Sequence, residues 1–191
     1  MTQLQQHDSP IAQFHQLVVE AEDRTHLHLN EESESYLVFL LMRFSKSPRF
    51  AATPVAIDYL QCFESTGRVK IDQLRDVGDK CLLLSGFFPE QAEKRLVTIG
   101  YFINLGRTAY HEISTSVGQS VGELYLQLAR QFVELMDILQ SIRLLDSEKG
   151  FDPLLAMDLI QECGNSQARE SLAQVTNATP VFIKEDERIQ H

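Results

Sequence analysis

The tetrapeptide Gly86-Phe87-Phe88-Pro89 stands between two long stretches of helical periodicity, and it limits the fold more than any other feature. Apolar residues recur every three or four positions through residues 71–84 and again through residues 96–110. Glycine suits the left-handed position after a helix, and proline suits the first turn of the next one. The two phenylalanines are expected to anchor the turn onto the core. Because so short a connection makes its flanking helices antiparallel neighbours, the segment predicts a central helical hairpin that turns at residues 86–89.

The rest of the chain shows the same periodicity between recognisable start and stop signals. Ser9 before Pro10, and Asn30 further on, are typical helix starts because Ser and Asn side chains accept hydrogen bonds from free backbone N–H groups. The predicted helices cover roughly residues 10–21, 30–44, 54–63, 69–85, 89–115, 121–145, 153–162 and 166–174. These features predict an all-α fold with one domain, a helical bundle of about six to eight helices in residues 1–175. Residues 176–191 are expected to form a C-terminal tail, which would dock through Val181-Phe182-Ile183.

Two of the predicted helices have unusual charge or apolar patterns. Glu20, Glu22 and Asp23 cluster at the end of the first helix, where negative charge opposes the helix dipole, so fraying is expected there. Residues 36–42 are apolar nearly all round, which is typical of a helix in the middle of a bundle. A buried strand is the alternative for so short a run, but the acidic, capped entry after Asn30 favours a helix.

Two glycines lie inside the predicted return helix at residues 89–115. Gly100 and Gly106 would each cost about 1 kcal/mol relative to alanine in a helix interior. Close approach of a neighbouring helix would compensate, because glycine removes the side chain from the contact. A kink near Gly106 is the competing explanation.

The chain is acidic, with a formal net charge of −10. Such a surface repels nucleic-acid phosphates and anionic lipids, and it favours cationic partners. The basic residues Arg43, Lys46 and Arg49 are interpreted as a solvated helix end rather than a binding patch. The longest apolar run, residues 37–42, is far shorter than the roughly 20 residues of a membrane-spanning helix. We therefore expect neither membrane binding nor nucleic-acid binding. The polar N-terminus lacks the pattern of a signal peptide, so a cytoplasmic location is expected.

Cysteines and histidines do not form a recognised metal motif in this sequence. The three cysteines, Cys62, Cys81 and Cys163, are far apart and are expected to be small buried apolar residues. His26 and His28 lie near an acidic cluster, but we interpret them as part of an exposed loop between helices. Neither the Glu-x-x-His motif of di-iron bundles nor His-Glu-x-x-His occurs. We therefore expect no metal and no cofactor.

Charged residues flank the predicted turn on both sides. Asp76, Asp79 and Lys80 precede it, and residues 90–95 include two acidic and two basic side chains. We interpret this cluster as a solvated, salt-bridged hairpin tip, because surface ion pairs of this kind are common and contribute little to stability. The alternative is a tip that docks onto a partner through a partly exposed Phe87 or Phe88.

Motifs for nucleophilic or phosphate chemistry are also missing from the sequence. Ser85 lacks the glycine two positions earlier that a nucleophile elbow needs, and it lies at a predicted helix end. Residues 118–122 are too short for a phosphate-binding loop and contain no lysine. No catalytic residue is therefore assigned from the sequence.

Two segments carry a resemblance to other proteins. Residues 79–90, DKCLLLSGFFPE, and residues 101–110, YFINLGRTAY, resemble the central part of a group of bacterial all-helical proteins of unassigned function. The resemblance is most specific over about residues 74–113. It implies a bacterial origin and a helical fold, and it supplies no activity. Its recognisable pattern consists of Gly86, Phe87, Pro89, Tyr101, Gly106, Arg107 and Tyr110.

The sequence leaves two hypotheses about function. The first is a non-enzymatic interaction or regulatory protein that binds a protein partner or associates with itself, as the missing catalytic motifs suggest. The second is a helical domain, with or without enzymatic activity, that binds a small molecule beside the central hairpin. Its candidate ligand-binding residues are Tyr101, Arg107, Tyr110 and His111, with the arginine holding an anion.

Overall fold

A computed structural model describes residues 9–46, 54–90, 97–145 and 151–176, and within these ranges the chain is helical throughout, with short connections. The elements in chain order are α1 (Pro10–Thr25), α2 (Glu31–Lys46), α3 (Val55–Gln61), a 3-10 turn (Cys62–Glu64), α4 (Gly67–Gly86), α5 (Ile99–Ser116), α6 (Gln119–Arg130), α7 (Phe132–Leu145), α8 (Pro153–Cys163) and α9 (Ser166–Thr176). This arrangement confirms the predicted all-α fold. The predicted tail begins at the last residue of α9, and the rest of it lies outside the described residues.

Helices α4 and α5 form the antiparallel pair at the centre of the bundle. Near the start of α4, Lys70 Nζ lies 3.8 Å from an oxygen of Glu112, late in α5. Further along α4, Cys81 faces Gly106, which comes earlier in α5: a Cβ at this glycine would lie 2.9 Å from Cys81 Cβ. The contacts therefore pair later residues of α4 with earlier residues of α5, which shows that the two helices run antiparallel. Helices α3 and α7 also pack on α4, and α1 packs on α2 and α7.

The turn after α4 lies where it was predicted, at residues 87–89, but Gly86 has a different role from the predicted one. Gly86 is the last residue of α4, and Phe87 follows in a right-handed conformation with φ −89°. Gly86 serves packing instead, because a Cβ there would lie 2.6 Å from Leu139 Cβ on α7. Glu90 is again helical, and after the non-helical residues Val97 and Thr98 helix α5 begins at Ile99, where the Thr98 side chain accepts a hydrogen bond from the backbone N–H of Tyr101 over 3.2 Å. The predicted helix over residues 89–115 is therefore interrupted at residues 97 and 98, and residues 91–96 lie outside the described part of the chain.

The aromatic residues of this turn pack on α2. The ring centroid of Phe44 lies 6.1 Å from that of Phe87 in a stacked arrangement and 5.7 Å from that of Phe88. Both turn residues are half-buried, and Pro89 is buried. The turn is therefore held against the body by aromatic contacts of the kind that stabilise cores beyond area burial alone.

The predicted helix over residues 121–145 is in fact two helices. Helix α6 ends at Arg130, Gln131 adopts φ −89° and ψ 14°, and α7 starts at Phe132. The Gln131 side chain accepts a hydrogen bond from Ser33 of α2, and the Phe132 ring fills the space that Gly106 leaves on α5. Tertiary contacts on both sides of the bend explain why helical periodicity alone did not reveal it. Helix α5 is unbroken at Gly106, which agrees with close packing rather than a kink.

Two expectations for the first helices are wrong. Helix α1 does not fray at its acidic end but continues to Thr25, because Glu22 is buried and accepts a hydrogen bond from the Leu29 N–H over 2.6 Å. Helix α2 is not enclosed on all sides: Phe39 is 60% exposed, although Leu37, Val38, Leu40 and Leu41 are buried. The predicted starts are confirmed, since Ser9 accepts from Ala12 N–H and Asn30 from Ser33 N–H. Within the described ranges, no helix has the length and apolar character that crossing a membrane requires.

Candidate functional site

A buried carboxylate lies where α2, α4 and α5 meet. Asp79 is 2% exposed, and its Oδ1 accepts hydrogen bonds from the hydroxyls of Tyr36 at 2.6 Å and Tyr110 at 2.7 Å. Its Oδ2 accepts a charge-assisted hydrogen bond from Arg43 Nη2. Tyr36 and Arg43 belong to α2 and Tyr110 belongs to α5, so the Asp79 side chain of α4 binds both neighbouring helices. A buried carboxylate requires this degree of pairing, because an unpaired one would be strongly destabilising.

Gly78 explains how an aromatic ring fits beside this carboxylate. A Cβ at Gly78 would lie 2.4 Å from a ring carbon of Tyr110, which is closer than any real contact. Glycine therefore admits the ring, and the next residue, Asp79, receives its hydroxyl. Tyr110 also lies among other aromatic rings, with centroids 6.1 Å from Tyr36 and 5.8 Å from Tyr125. We call Tyr36, Arg43, Asp79, Tyr110 and Tyr125 the Asp79 network.

The pKa values of Asp79, Tyr36 and Tyr110 favour stable hydrogen bonds within the Asp79 network. Burial raises the pKa of Asp79, while Arg43 and the hydrogen bonds from Tyr36 and Tyr110 lower it, with a net increase. Burial also raises the pKa of both tyrosines well above their ordinary value, and the charge of Asp79 raises it further. The two hydroxyls thus stay protonated at neutral pH and act as donors. Such an arrangement suits positioning of helices better than proton transfer.

Additional charges surround the network on the solvent side. Arg43 Nη1 lies 3.4 Å from an Asp76 oxygen, and Arg75 Nη2 lies 3.3 Å from an Asp72 oxygen. Two arginines therefore face three aspartates, counting Asp79, and the local charge is close to balanced. These outer pairs are partly exposed, so solvent screens them and they contribute little to stability.

An open groove runs over the Asp79 network between α2 and α6. It consists of two adjoining cavities that share Tyr36, Phe39, Val121 and Leu124. The larger cavity, about 610 Å³, continues to Glu31, Glu32 and Ser35, and the smaller one, about 310 Å³, ends on Arg43, Arg75 and Asp79. We call this feature the α2–α6 groove. Its centre is apolar and accessible, since Phe39 is 60% and Val121 48% exposed.

The four predicted ligand-binding residues do not share one pocket. Arg107 and His111 are both exposed and line an open cavity of about 550 Å³ between α5 and α6. Arg107 Nε donates to the Ala129 carbonyl oxygen over 3.1 Å, which ties the side chain to α6. Tyr110 faces the other way, into the Asp79 network, and Tyr101 lies apart, its ring 5.5 Å from that of Phe102. The structure thus brings together two of the four.

The predicted solvated tip is confirmed for Asp76, which is 46% exposed and contacts Arg43, but it is wrong for Asp79 and Lys80. Asp79 is 2% exposed and Lys80 9%, and the Lys80 ammonium lies 2.6 Å from an Asp58 carboxylate oxygen of α3. Both residues are buried because α4 is covered on several sides. After the turn, Glu90 contacts Arg143 of α7. The other charged residues of that stretch, 93–95, lie outside the described part of the chain.

Other side chains with potential metal chemistry are dispersed. His26 and His28 are exposed in the α1–α2 connection, while Cys62 and Cys81 are buried and Cys163 is half-buried. Over the ranges that the structure describes, there is no group of three or more His, Cys, Asp or Glu side chains that could hold a metal ion.

Sequence reasoning missed most of the Asp79 network, although two signals for it exist. The acidic Asp79 follows a mid-helix glycine and stands within an otherwise apolar stretch, residues 77–84, apart from Lys80. Tyr36 and Arg43 are seven residues apart, which places them on the same side of α2. Neither signal names the partner, because the contacts join residues 31 to 43 positions apart in sequence.

No family model, curated protein or solved structure matches the chain. The resemblance of residues 79–90 and 101–110 to a group of bacterial proteins therefore stays a prediction.

Proposed function

We propose that this protein is a non-enzymatic interaction protein and that the α2–α6 groove binds a basic amphipathic helix of a protein partner. The observation that carries the proposal is the groove itself, an apolar centre with an acidic end. Helices that bind grooves insert apolar side chains spaced by three or four residues. Because the apolar centre of the groove runs along one side of α2, it can accept several such side chains from one helix.

The apolar centre supports binding because Phe39 and Val121 are large side chains that the fold leaves exposed. Both belong to well-formed helices, so the side chains are presented by a rigid scaffold. Aromatic residues at the centre of a concave surface are typical of the residues that contribute most to protein–protein affinity. An apolar groove with a polar border is also the usual anatomy of a specific interface.

The acidic end supports a basic partner. Glu31 and Glu32 are exposed in the first turn of α2, next to the apolar centre. The net charge of the whole chain, −10, has the same sign. Opposite charges across an interface accelerate encounter and suppress wrong partners. For the same reason, association of two copies of this acidic chain through the groove is disfavoured.

The Asp79 network supports the proposal by holding the groove walls. Tyr36 lies in α2, Tyr125 in α6, and their ring centroids are 6.0 Å apart below the groove. Asp79 binds Tyr36 from α4, on the inner side. A preformed groove loses less conformational entropy on binding than one that must be ordered first.

Selection from a peptide library tests the proposal without a known partner. The full chain would be immobilised and a display library of helical peptides enriched on it. We expect enriched peptides to carry apolar residues at helical spacing together with a positive net charge. Their affinity for Phe39→Asp should fall at least about tenfold, since the change removes a central apolar contact.

A matched control uses another exposed apolar residue. Ile57 of α3 is 54% exposed and lies outside the groove, so Ile57→Asp should bind the selected peptides as the wild type does. The proposal fails if no peptide is enriched or if the enriched peptides are acidic. It also fails if Ile57→Asp loses binding while Phe39→Asp retains it.

A further inference from the structure

A second cavity lies on the other side of α2, against the turn that follows α4. It has a volume of about 650 Å³ and a mainly aromatic and aliphatic lining of Phe14, Leu17, Leu41, Phe44, Phe87 and Ile142. This volume is within the range of about 300–1,000 Å³ that is usual for small-molecule sites. Positions 41 and 44 lie on a different side of α2 from positions 36, 39 and 43, so the cavity is separate from the α2–α6 groove.

Among the described residues, one cationic side chain lines this apolar cavity. Arg143 of α7 is 25% exposed, contacts Glu90 through Nη2, and lies 5.7 Å from the ring centroid of Phe151. Its Nη1 is buried and makes no hydrogen bond within the described part of the chain. A buried donor without an acceptor is costly, and a guanidinium donor most of all. An acceptor supplied by a ligand would remove this cost.

We propose that this cavity binds a small amphipathic carboxylate, with its alkyl chain among the aromatic side chains and its carboxylate at Arg143. Arg143 is the only charged residue among the described residues that line the cavity. A ligand that fits this lining therefore needs one charged or polar end and one apolar end. Sites for such ligands combine an apolar interior with a small number of orienting polar groups. Arginine suits a carboxylate because its planar donors match the two carboxylate oxygens.

Glu90 is expected to weaken the binding of an anion at this site. Its carboxylate already occupies one side of the Arg143 guanidinium, and it would repel a second carboxylate. A neutral residue at position 90 should therefore strengthen the binding of an anion. A purely structural role for Arg143 predicts no such gain.

Calorimetric titration of the full chain with octanoate, and separately with 1-octanol, tests the proposal. The two probes share the same alkyl chain and differ in the charge of the head group. We expect octanoate to bind more tightly than 1-octanol to the wild type. Arg143→Gln should weaken octanoate binding by about tenfold or more and leave 1-octanol unchanged. Glu90→Gln should strengthen octanoate binding.

Two further variants keep the test independent of a folding defect. Arg130→Gln removes an exposed arginine of α6 and should not change octanoate binding. Phe87→Ala should weaken both probes, because it removes an apolar wall common to them. Equal affinity of the wild type for the two probes would overturn the proposal, as would octanoate binding that is absent or insensitive to Arg143→Gln. The comparison of probes on the wild-type chain holds even if a variant does not fold.

Discussion

Tyr110 donates a hydrogen bond to Asp79 Oδ1 over 2.7 Å, across the interface between the two central helices α4 and α5. The contact is fully buried, and it needs the glycine at position 78, because a Cβ there would overlap the Tyr110 ring. The hydrogen bond and the close contact at Gly78 thus connect α4 and α5 at one level of the pair.

Replacing Asp79 should strongly destabilise the fold. Asp79→Ala leaves the hydroxyls of Tyr36 and Tyr110 and one side of Arg43 without their acceptor. Breaking a buried ion pair by removing one partner costs about 3–5 kcal/mol. Urea denaturation should show a loss of this size. Asp76→Ala is the matched control on the same helix, because the Asp76 side chain is 46% exposed and should cost less than about 0.5 kcal/mol.

Gly106 should tolerate alanine poorly in spite of its helical position. A Cβ there would lie 2.4 Å from Phe132 and 2.9 Å from Cys81 Cβ. Alanine would otherwise stabilise a helix interior by up to about 1 kcal/mol, but overpacking costs about 1–3 kcal/mol. We expect Gly106→Ala to lower the free energy of unfolding. A gain in stability would show that α5 does not approach its neighbours so closely.

Gly118 provides the comparison for this substitution. No atom lies within 4 Å of a Cβ built at this position, which caps the start of α6. Gly118→Ala should therefore change the stability by less than about 1 kcal/mol, the modest effect of a helix cap. A difference between the two variants assigns the loss at Gly106 to packing rather than to a general effect of glycine removal.

The stability of the fold should depend on pH through Asp137. Burial raises the pKa of this carboxyl to about 7, the nearby Glu134 adds to the increase, and the hydrogen bond from Asn165 opposes it. In the unfolded chain the pKa is about 3.9, so the folded state holds a proton that the unfolded state has lost. Folding stability should thus fall as pH rises between these two values and level off above the higher one.

Denaturation at pH 6 and pH 8.5 tests this dependence. For a folded pKa of about 7, the contribution of Asp137 changes by about 1 kcal/mol between these conditions. Asp137→Asn removes the ionisation but keeps an acceptor for Asn165. The variant should therefore lose less stability than the wild type as pH rises, and equal slopes would contradict the assignment.

Salt should control the affinity of the α2–α6 groove. Glu31→Gln together with Glu32→Gln removes the acidic end and leaves the apolar centre. At low salt, selected basic peptides should associate more slowly with this double variant than with the wild type. At about 1 M salt the Debye length is only about 3 Å, so the two proteins should differ much less. A constant difference at all salt concentrations would argue against charge complementarity.

The sequence predicts helices much better than it predicts contacts between them. Caps at Ser9 and Asn30 are local interactions, and both occur as expected. Gly86 shows the limit, since the sequence pattern of a helix stop also fits a helix end that packs against Leu139. At the break between α6 and α7, the Gln131 side chain likewise accepts a hydrogen bond from Ser33, which is 98 residues away. Tertiary packing determines where these helices end or break, and local periodicity does not show it.

The candidate site illustrates the same limit for function. Asp79 and Lys80 look like surface charges in sequence, because charged residues on a helix are mostly exposed. Only the placement of α2, α3 and α5 around α4 buries them and supplies partners. Arg107 and His111, four positions apart on one helix, were predicted together and do line one cavity. Tyr110 was grouped with them, but it points to the opposite side of α5.

The most direct measurement is the position of a selected basic peptide on the full chain, mapped by backbone amide chemical shifts. The α2–α6 groove predicts shifts concentrated around Phe39, Val121 and Leu124, with few changes near the exposed residues Ile57 and Leu60 of α3. The same peptide should leave the amides around Arg143 unchanged, because that cavity is separate. Shifts concentrated on α3, or spread evenly over the surface, would contradict the proposed function.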